Sequence, residues 1–202
     1  VNKMKGIVCN LRIQLRDEKT GAVISDLERK SHSFVRNFMQ MLYYGSLATA
    51  NAAYRDTSDV ARPACVTTRG CAGISCVGSA GITTAGIVVG GSNLEFDISQ
   101  YNIQSLISHG TGTGQFSYAA MNNPDEPSFI DPDIFLILSR DMANNSGSSI
   151  IVREIGLIGY PVYDGWYSHY ASVLYARDVV DDTVVANGQV LNVQYLFKTV
   201  VE

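Results

Sequence analysis

The stretch SIIVREIGLIGY, residues 149–160, decides how this chain is read. It is apolar on both alternating rows, as a strand covered on both faces would be. Yet Arg153 and Glu154 stand side by side in its middle. In a strand they point to opposite faces, so each row carries one charge, and a charge on a buried strand needs a partner. Arg140 or Arg177 could meet Glu154, and Asp141 or Asp178 could meet Arg153. Three roles are open: an internal ion pair, a pair crossing a subunit boundary, and a catalytic Glu154. One facing sheet covers only one side of such a strand, so the other needs a helix, a long arm or another subunit.

Working outward, DIFLILSRDMANN precedes this strand, and NNSG between them reads as a hairpin turn rich in Asn and Gly. ASVLYARDVV is the next strand and DDTVVANG a turn region. QVLNVQYLFKTVV closes the chain, with Leu191, Val193, Tyr195 and Phe197 inward and Asn192, Gln194 and Lys198 outward. At the other end KGIVCNLRIQLR (5–16) alternates as a half-buried strand, DEKTGA turns, and AVISDLERK returns as a weaker strand. GITTAGIVVGGS (81–92) is a strand bounded by glycines, and another lies around 115–121. Strands at this spacing predict an all-β fold, a jelly-roll-like antiparallel β-sandwich with residues 1–202 as a single domain.

Two segments read differently. SFVRNFMQMLYYGSLA (33–48) places Phe34, Phe38, Met41 and Leu42 at helical spacing, with Ser33 to cap it and Gly45 to end it. This helix is expected to plug one end or face of the sheets. DISQYNIQSLISHG (97–110) is compatible with a second, short helix capped by Asp97 or Ser99. Residues 49–80 are small, polar and irregular, an excursion with room for one short strand; segments this long are usually functional or partner-bound.

Only 17% of the 202 residues are charged and the net charge is −4, against roughly 25% charged in an average soluble protein. A surface so poor in charge suits contact with partner subunits. No Lys/Arg cluster exceeds two adjacent residues, which argues against a nucleic-acid groove. No apolar run approaches the roughly 20 residues of a membrane-spanning helix, and VNKMKGIVCN lacks the apolar centre of a secretion signal.

Motifs that could carry chemistry are weak. Cys65, Cys71 and Cys76 are separated by five and four residues, which is not the spacing of zinc knuckles. Free thiols are the plain reading, followed by a disulfide within the cluster or to Cys9, then a metal site. HGTGTG (109–114) lacks the Gly-Lys-Ser/Thr ending of a phosphate loop and reads as a turn. His32, His109 and His169 lie in different elements, and no G-x-S-x-G elbow is present. Asp125, Glu126, Asp131 and Asp133 form an acidic loop without the spacing of a calcium hand. No cofactor or metal is expected. YPVYDGWYSHY (160–170) gathers Tyr160, Tyr163, Trp166, Tyr167 and Tyr170. Such aromatics suit a loop folded on its own core, a subunit interface or stacking on a glycan.

RDMANNSGSSIIVREIGLIG and LYARDVVDDTVVANGQVLNVQYLF together resemble structural proteins of tailed bacteriophage virions. The shared pattern runs through Glu154, Ile155, Gly156 and Leu157, then Leu174, Ala176, Arg177 and Asp178, then Gly188, Leu191, Val193 and Tyr195. GIVVGGSN…DISQYNIQSLISHGTGTGQFSY extends it, so the resemblance spans about residues 81–202, with a weaker echo in SHSFVRNFMQMLY. The motifs are structural and bring no catalytic residues. The resemblance implies a non-enzymatic virion protein of the capsid-decoration, collar or tail kind. It would be made in the host cytoplasm, form a homo-oligomer and dock to other virion proteins. Interface candidates are Arg153 and Glu154 together with the aromatic loop. The rival reading is a carbohydrate-binding module that uses that loop.

Overall fold

The computed structural model describes residues 4–31, 34–40, 53–63, 75–122, 128–130, 133–160, 162–164 and 169–201. Its strands in chain order are β1 (Met4–Asp17), β2 (Val23–Lys30), β3 (Ala53–Arg55), β4 (Ala61–Pro63), β5 (Gly86–Gly90), β6 (Ser117–Asn122) and β7 (Ser128–Ile130). They continue with β8 (Asp133–Asn144), β9 (Ile150–Gly159), β10 (Val162–Asp164), β11 (His169–Tyr170), β12 (Val173–Val185) and β13 (Gln189–Val201). The larger sheet runs β2-β1-β13-β8-β6, with β7 also paired to β8. The smaller runs β12-β9-β5, and β3–β4 and β10–β11 are separate two-stranded ribbons. All pairs are antiparallel. The protein is an all-β sandwich, as the strand pattern predicts.

Alternation builds the core. Leu11 and Ile13 of β1, Leu191, Val193 and Tyr195 of β13, and Leu138 and Met142 of β8 are buried from the larger sheet. Ile155 and Leu157 of β9 join them in one apolar cluster with Val173, Leu174 and Tyr175 of β12. The inward residues predicted on β13 are therefore in place, with Phe197 partly buried at the margin. Asn192 points away from that row yet is only 2% exposed. It belongs to a hydrogen-bonded polar ladder across the outer face: Gln194 donates to Asn192, Asn192 to Asp141, and Gln14 to Asp26.

The hairpin expected at NNSG is not formed. β8 belongs to the larger sheet and β9 to the smaller, so the turn carries the chain between layers. Asn144 is the cause: its buried Nδ2 donates to Ser148 O and to Val185 O at the end of β12 (both 2.8 Å), and its Oδ1 accepts from Ser146. The β12–β13 turn crosses layers beside it, joined by Gly188 N to Asn144 O and Gly147 N to Asn187 Oδ1. DDTVV, read as turn, is strand: β12 continues to Val185 past an irregularity between Val179 and Thr183.

Helix is scarce. Of the helix predicted over 33–48, residues 36–40 are helical, while 33 and 41–48 lie outside the described residues. Phe34 forms a bridge to Ala176 instead, and Val35 N donates to Tyr175 O. The chain thus lays an extended pair on the edge of β12 before it coils. Phe34 stacks on Phe38 at 4.2 Å between ring centroids, and Phe38 meets the Tyr175 ring edge-on. This is the plugging role expected of the segment. The helix expected over 97–110 is absent, because its backbone groups bond elsewhere. Gly91 N donates to Ser105 O, Ile107 N to Val89 O, and Phe116 N to Ser108 O. Among its described residues the excursion at 49–80 contains two short strands rather than one; Asp56 shapes their turn by accepting from Ser58 N, Val60 N and Arg62 Nε.

Cys9 and Cys76 are buried free thiols, so the disulfide to Cys9 is not made; Cys65 and Cys71 lie outside the described residues. Burial pushes both thiols up to about 12, and for Cys9 the Asp178 carboxylate adds to the effect. A thiol whose folded value is raised contributes stability that is present below its unfolded value, near 9, and is lost as pH rises towards about 12. In a chain carrying Cys65→Ser and Cys71→Ser, both remaining thiols are expected to resist a disulfide-exchange reagent below pH 9 until denaturant is added. Urea midpoints should fall through the alkaline window. Rapid labelling of the native chain would contradict this burial.

Candidate functional site

Glu154 and Arg177 answer the question raised by the β9 sequence. Both side chains are 0% exposed, and Arg177 Nε lies 2.7 Å from Glu154 Oε2. The carboxylate also accepts from Ser105 N (2.7 Å), Gln104 N (3.2 Å) and Ser92 N (3.4 Å). The guanidinium donates to Leu94 O (3.0 Å), Glu95 O (3.4 Å) and Gln100 Oε1 (3.0 Å). A buried pair is tolerated only when its remaining donors and acceptors are satisfied like this. Together the two residues clasp the 91–107 segment against the small sheet. Gly90 leaves no room for a Cβ, which would lie 2.6 Å from Ser105 O and closer still to the Glu154 carboxylate. Ile103 sits where a Cβ on Gly156 would point. The second covering of β9 is therefore an arm of the same chain.

Of the sequence candidates for Glu154, Arg177 is the partner and Arg140 is not. Glu154 has no exposed surface and is withdrawn from any subunit contact. Arg153 meets neither Asp141 nor Asp178; it forms a forked pair with Asp182 at 2.7 and 3.0 Å, on the surface. Asp182 was hidden from sequence reasoning because DDTVV read as a turn. Asp178 is instead buried, accepting from Ser31 Oγ and Tyr195 Oη.

Sequence reasoning singled out Arg140 only as a partner for Glu154 and missed its actual role. It is fully buried, and its five N–H groups go to five backbone carbonyls: Ala119, Ala85, Ile87, Ser79 and Ile82, at 2.7–3.1 Å. Its guanidinium carbon lies 4.9 Å from the centre of the Tyr118 ring. Burial pulls its pKa down from the usual guanidinium range. The available signal was the alternation of β8, which puts Arg140 on the same row as Leu138 and Met142. Gly86 adopts φ +78° beside it, and a Cβ there would meet Met121 Sδ at 2.6 Å.

The aromatic loop is only partly described. Tyr160 Oη and Thr84 Oγ1 are 2.5 Å apart. The backbones of Tyr163 and Tyr170 lie in the β10–β11 ribbon, where Val162 pairs with Tyr170. Trp166 and Tyr167 lie outside the described residues, as do most residues of the acidic loop around Asp125. HGTGTG is a structural turn: Gln115 folds back onto Gly112 N and Ser108 Oγ, and His109 Nδ1 accepts from Tyr118 N. Among the described residues no group of three or more His, Cys, Asp or Glu is arranged to hold a metal.

Two surface features bear on function. The first is the outer edge of β2. At its Ser31 end it is tied down: Ser31 bonds Asp178, and Arg29 donates to Val179 O. At its Val23 end it stands clear, with Val23, Ile24 and Leu27 each 50–55% exposed. Leu27 pairs with buried Ile13, but the small sheet is only three strands wide. Val184, at the far end of β12, is likewise 50% exposed. The second feature is a cleft of about 460 Å³ with three walls. Arg36 and Gln40 come from the helical turn, Arg55 and Ala61 from the β3–β4 ribbon, and Ser99 to Tyr101 from the clasped arm.

Comparison with protein families, with curated proteins and with solved structures returns no match for this chain.

Proposed function

We propose that this protein is a non-enzymatic building block of a tailed-phage virion, acting by self-assembly and by docking to capsid or tail proteins. The observation that carries the reading is the β2 edge. Isolated sandwiches blunt their edge strands. Here the edges of the small sheet are covered in part, β5 by the 105–107 backbone and β12 at Tyr175 and Ala176 by Phe34 and Val35. Among the described residues, β2 keeps an open run that includes Val23, Ile24 and Leu27. Such an edge suits a strand or apolar surface from another subunit. The buried charges fit this reading: Glu154, Arg177, Arg140 and Asp178 each serve to lock arms onto the sandwich.

Light scattering with and without reductant is expected to give a discrete oligomer, and Ile24→Lys with Leu27→Lys is expected to reduce it to monomer without altering the circular dichroism. An oligomer that survives both substitutions would remove β2 from the interface, and a monomeric parent chain would remove self-assembly in free solution. A second reading, attachment to a surface glycan, is favoured by one observation: the three-walled cleft presents unengaged donors beside an aromatic ring.

A further inference from the structure

Resting on the glycan reading, we propose that the cleft between residues 36–40, the β3–β4 ribbon and the 99–101 arm binds a carboxylate-bearing sugar. The walls are tied to one another. Asn37 Nδ2 donates to Arg55 O at 2.9 Å and Asn37 Oδ1 accepts from Arg55 N at 3.2 Å, joining the helical turn to the ribbon. Arg36 N donates to Ile98 O at 2.8 Å, joining it to the arm. The arm is backed by the buried clasp, since Arg177 donates to Gln100 Oε1. A site whose walls are already fixed loses little order on binding.

The groups facing the cleft divide into those that build it and those left for a ligand. Asn37, Ser99 and Gln100 are engaged: Ser99 donates to Asp97 and Gln100 to Glu95 O. The Arg36 guanidinium, the Gln40 amide and the Tyr101 hydroxyl have no hydrogen-bond partner among the described residues. Arg55 shares its charge with exposed Asp59. No carboxylate is among the described lining residues, so the cleft carries a net positive charge. A free guanidinium is a planar fork that matches a carboxylate with two parallel bonds. The Tyr101 ring and the Ala61 methyl add an apolar surface for a sugar ring. The volume of about 460 Å³ admits one or two sugar units rather than an extended chain.

The test is heteronuclear NMR on the full chain, with D-glucuronate as probe and D-glucose and acetate as comparators. Glucuronate is expected to shift Arg36, Arg55 and Tyr101 signals saturably, glucose not at all, and acetate only weakly. Arg36→Gln should weaken glucuronate binding about tenfold, a loss of about 1.4 kcal/mol, and Tyr101→Ala should weaken it too. Both variants should keep the parent's melting temperature, since neither side chain holds the fold. Equal shifts from acetate would overturn the sugar assignment. Saturable sugar binding that ignores Arg36→Gln but is lost in Trp166→Ala would overturn the cleft while leaving the glycan reading standing. Binding of no sugar at all would remove both.

Discussion

Replacing Glu154 by alanine is expected to cost about 3–5 kcal/mol of folding free energy, the loss typical of stripping one partner from a buried ion pair. This is a large share of the roughly 5–15 kcal/mol that stabilises an ordinary domain. Arg177 would keep its charge inside the protein with no anion beside it. The amides of Ser105 and Gln104 would lose their acceptor as well. Glu154→Gln should be nearly as damaging, because an amide brings no charge and turns an N–H towards donors. The double change Glu154→Leu with Arg177→Met removes both charges and should recover much of the loss. It should not recover all of it, since the arm still has orphaned amides. Urea unfolding gives the midpoints, and exchange of the Ser105 amide reports whether the arm has lifted. A single mutant with an unchanged midpoint would mean that the pair is not buried in solution.

Replacing Arg140 by leucine is expected to cost at least about 3 kcal/mol, for a different reason. No carboxylate is lost; five carbonyls are. Carbonyls at 79, 82, 85 and 87 hold the entry to β5 against the core, and the one at Ala119 belongs to β6. Lysine keeps the charge but offers three donors on one atom, not a fork with five. Arg140→Lys should therefore restore less than half of the loss. The weakness should appear as faster proteolysis within 78–85 before global unfolding. Full rescue by lysine would show that charge, and not the geometry of the fork, is what the site requires.

The sandwich was legible because period-two alternation states directly which residues face the core. β13 carries that signal cleanly and β1 over its second half: Leu11, Ile13, Leu191 and Val193 are buried as it predicts, while Ile7, on the same row of β1, is 70% exposed. The layer crossing at Asn144 was not legible, since Asn and Gly close hairpins and crossovers alike. What distinguishes them is a bond from Asn144 to Val185, 41 positions away. The helix over 97–110 failed for the same reason: local spacing was right, but Glu154 and β5 claimed the amides a helix would need. The charged pair on β9 announced itself, and an internal partner was foreseen, yet only the fold could show that Glu154 pins an arm while Arg153 pairs on the surface. The cleft was invisible in the sequence. Its walls come from residues 36–40, 55–61 and 99–101, none of which carries a recognisable motif.

The clasp around Glu154 and Arg177 has a bearing on how this protein can change over time. It grips the arm mostly by main-chain amides and carbonyls at 92, 94, 95, 104 and 105, which every residue but proline supplies in full. Side-chain identity between those anchor points is thus largely uncoupled from stability, Gln100 and Ile103 excepted. Mutation can rewrite the exposed stretch from 96 to 99 with little penalty to the rest of the molecule. The sandwich is in effect a chassis with a replaceable surface loop, and a laboratory library confined to that loop should yield mostly folded members.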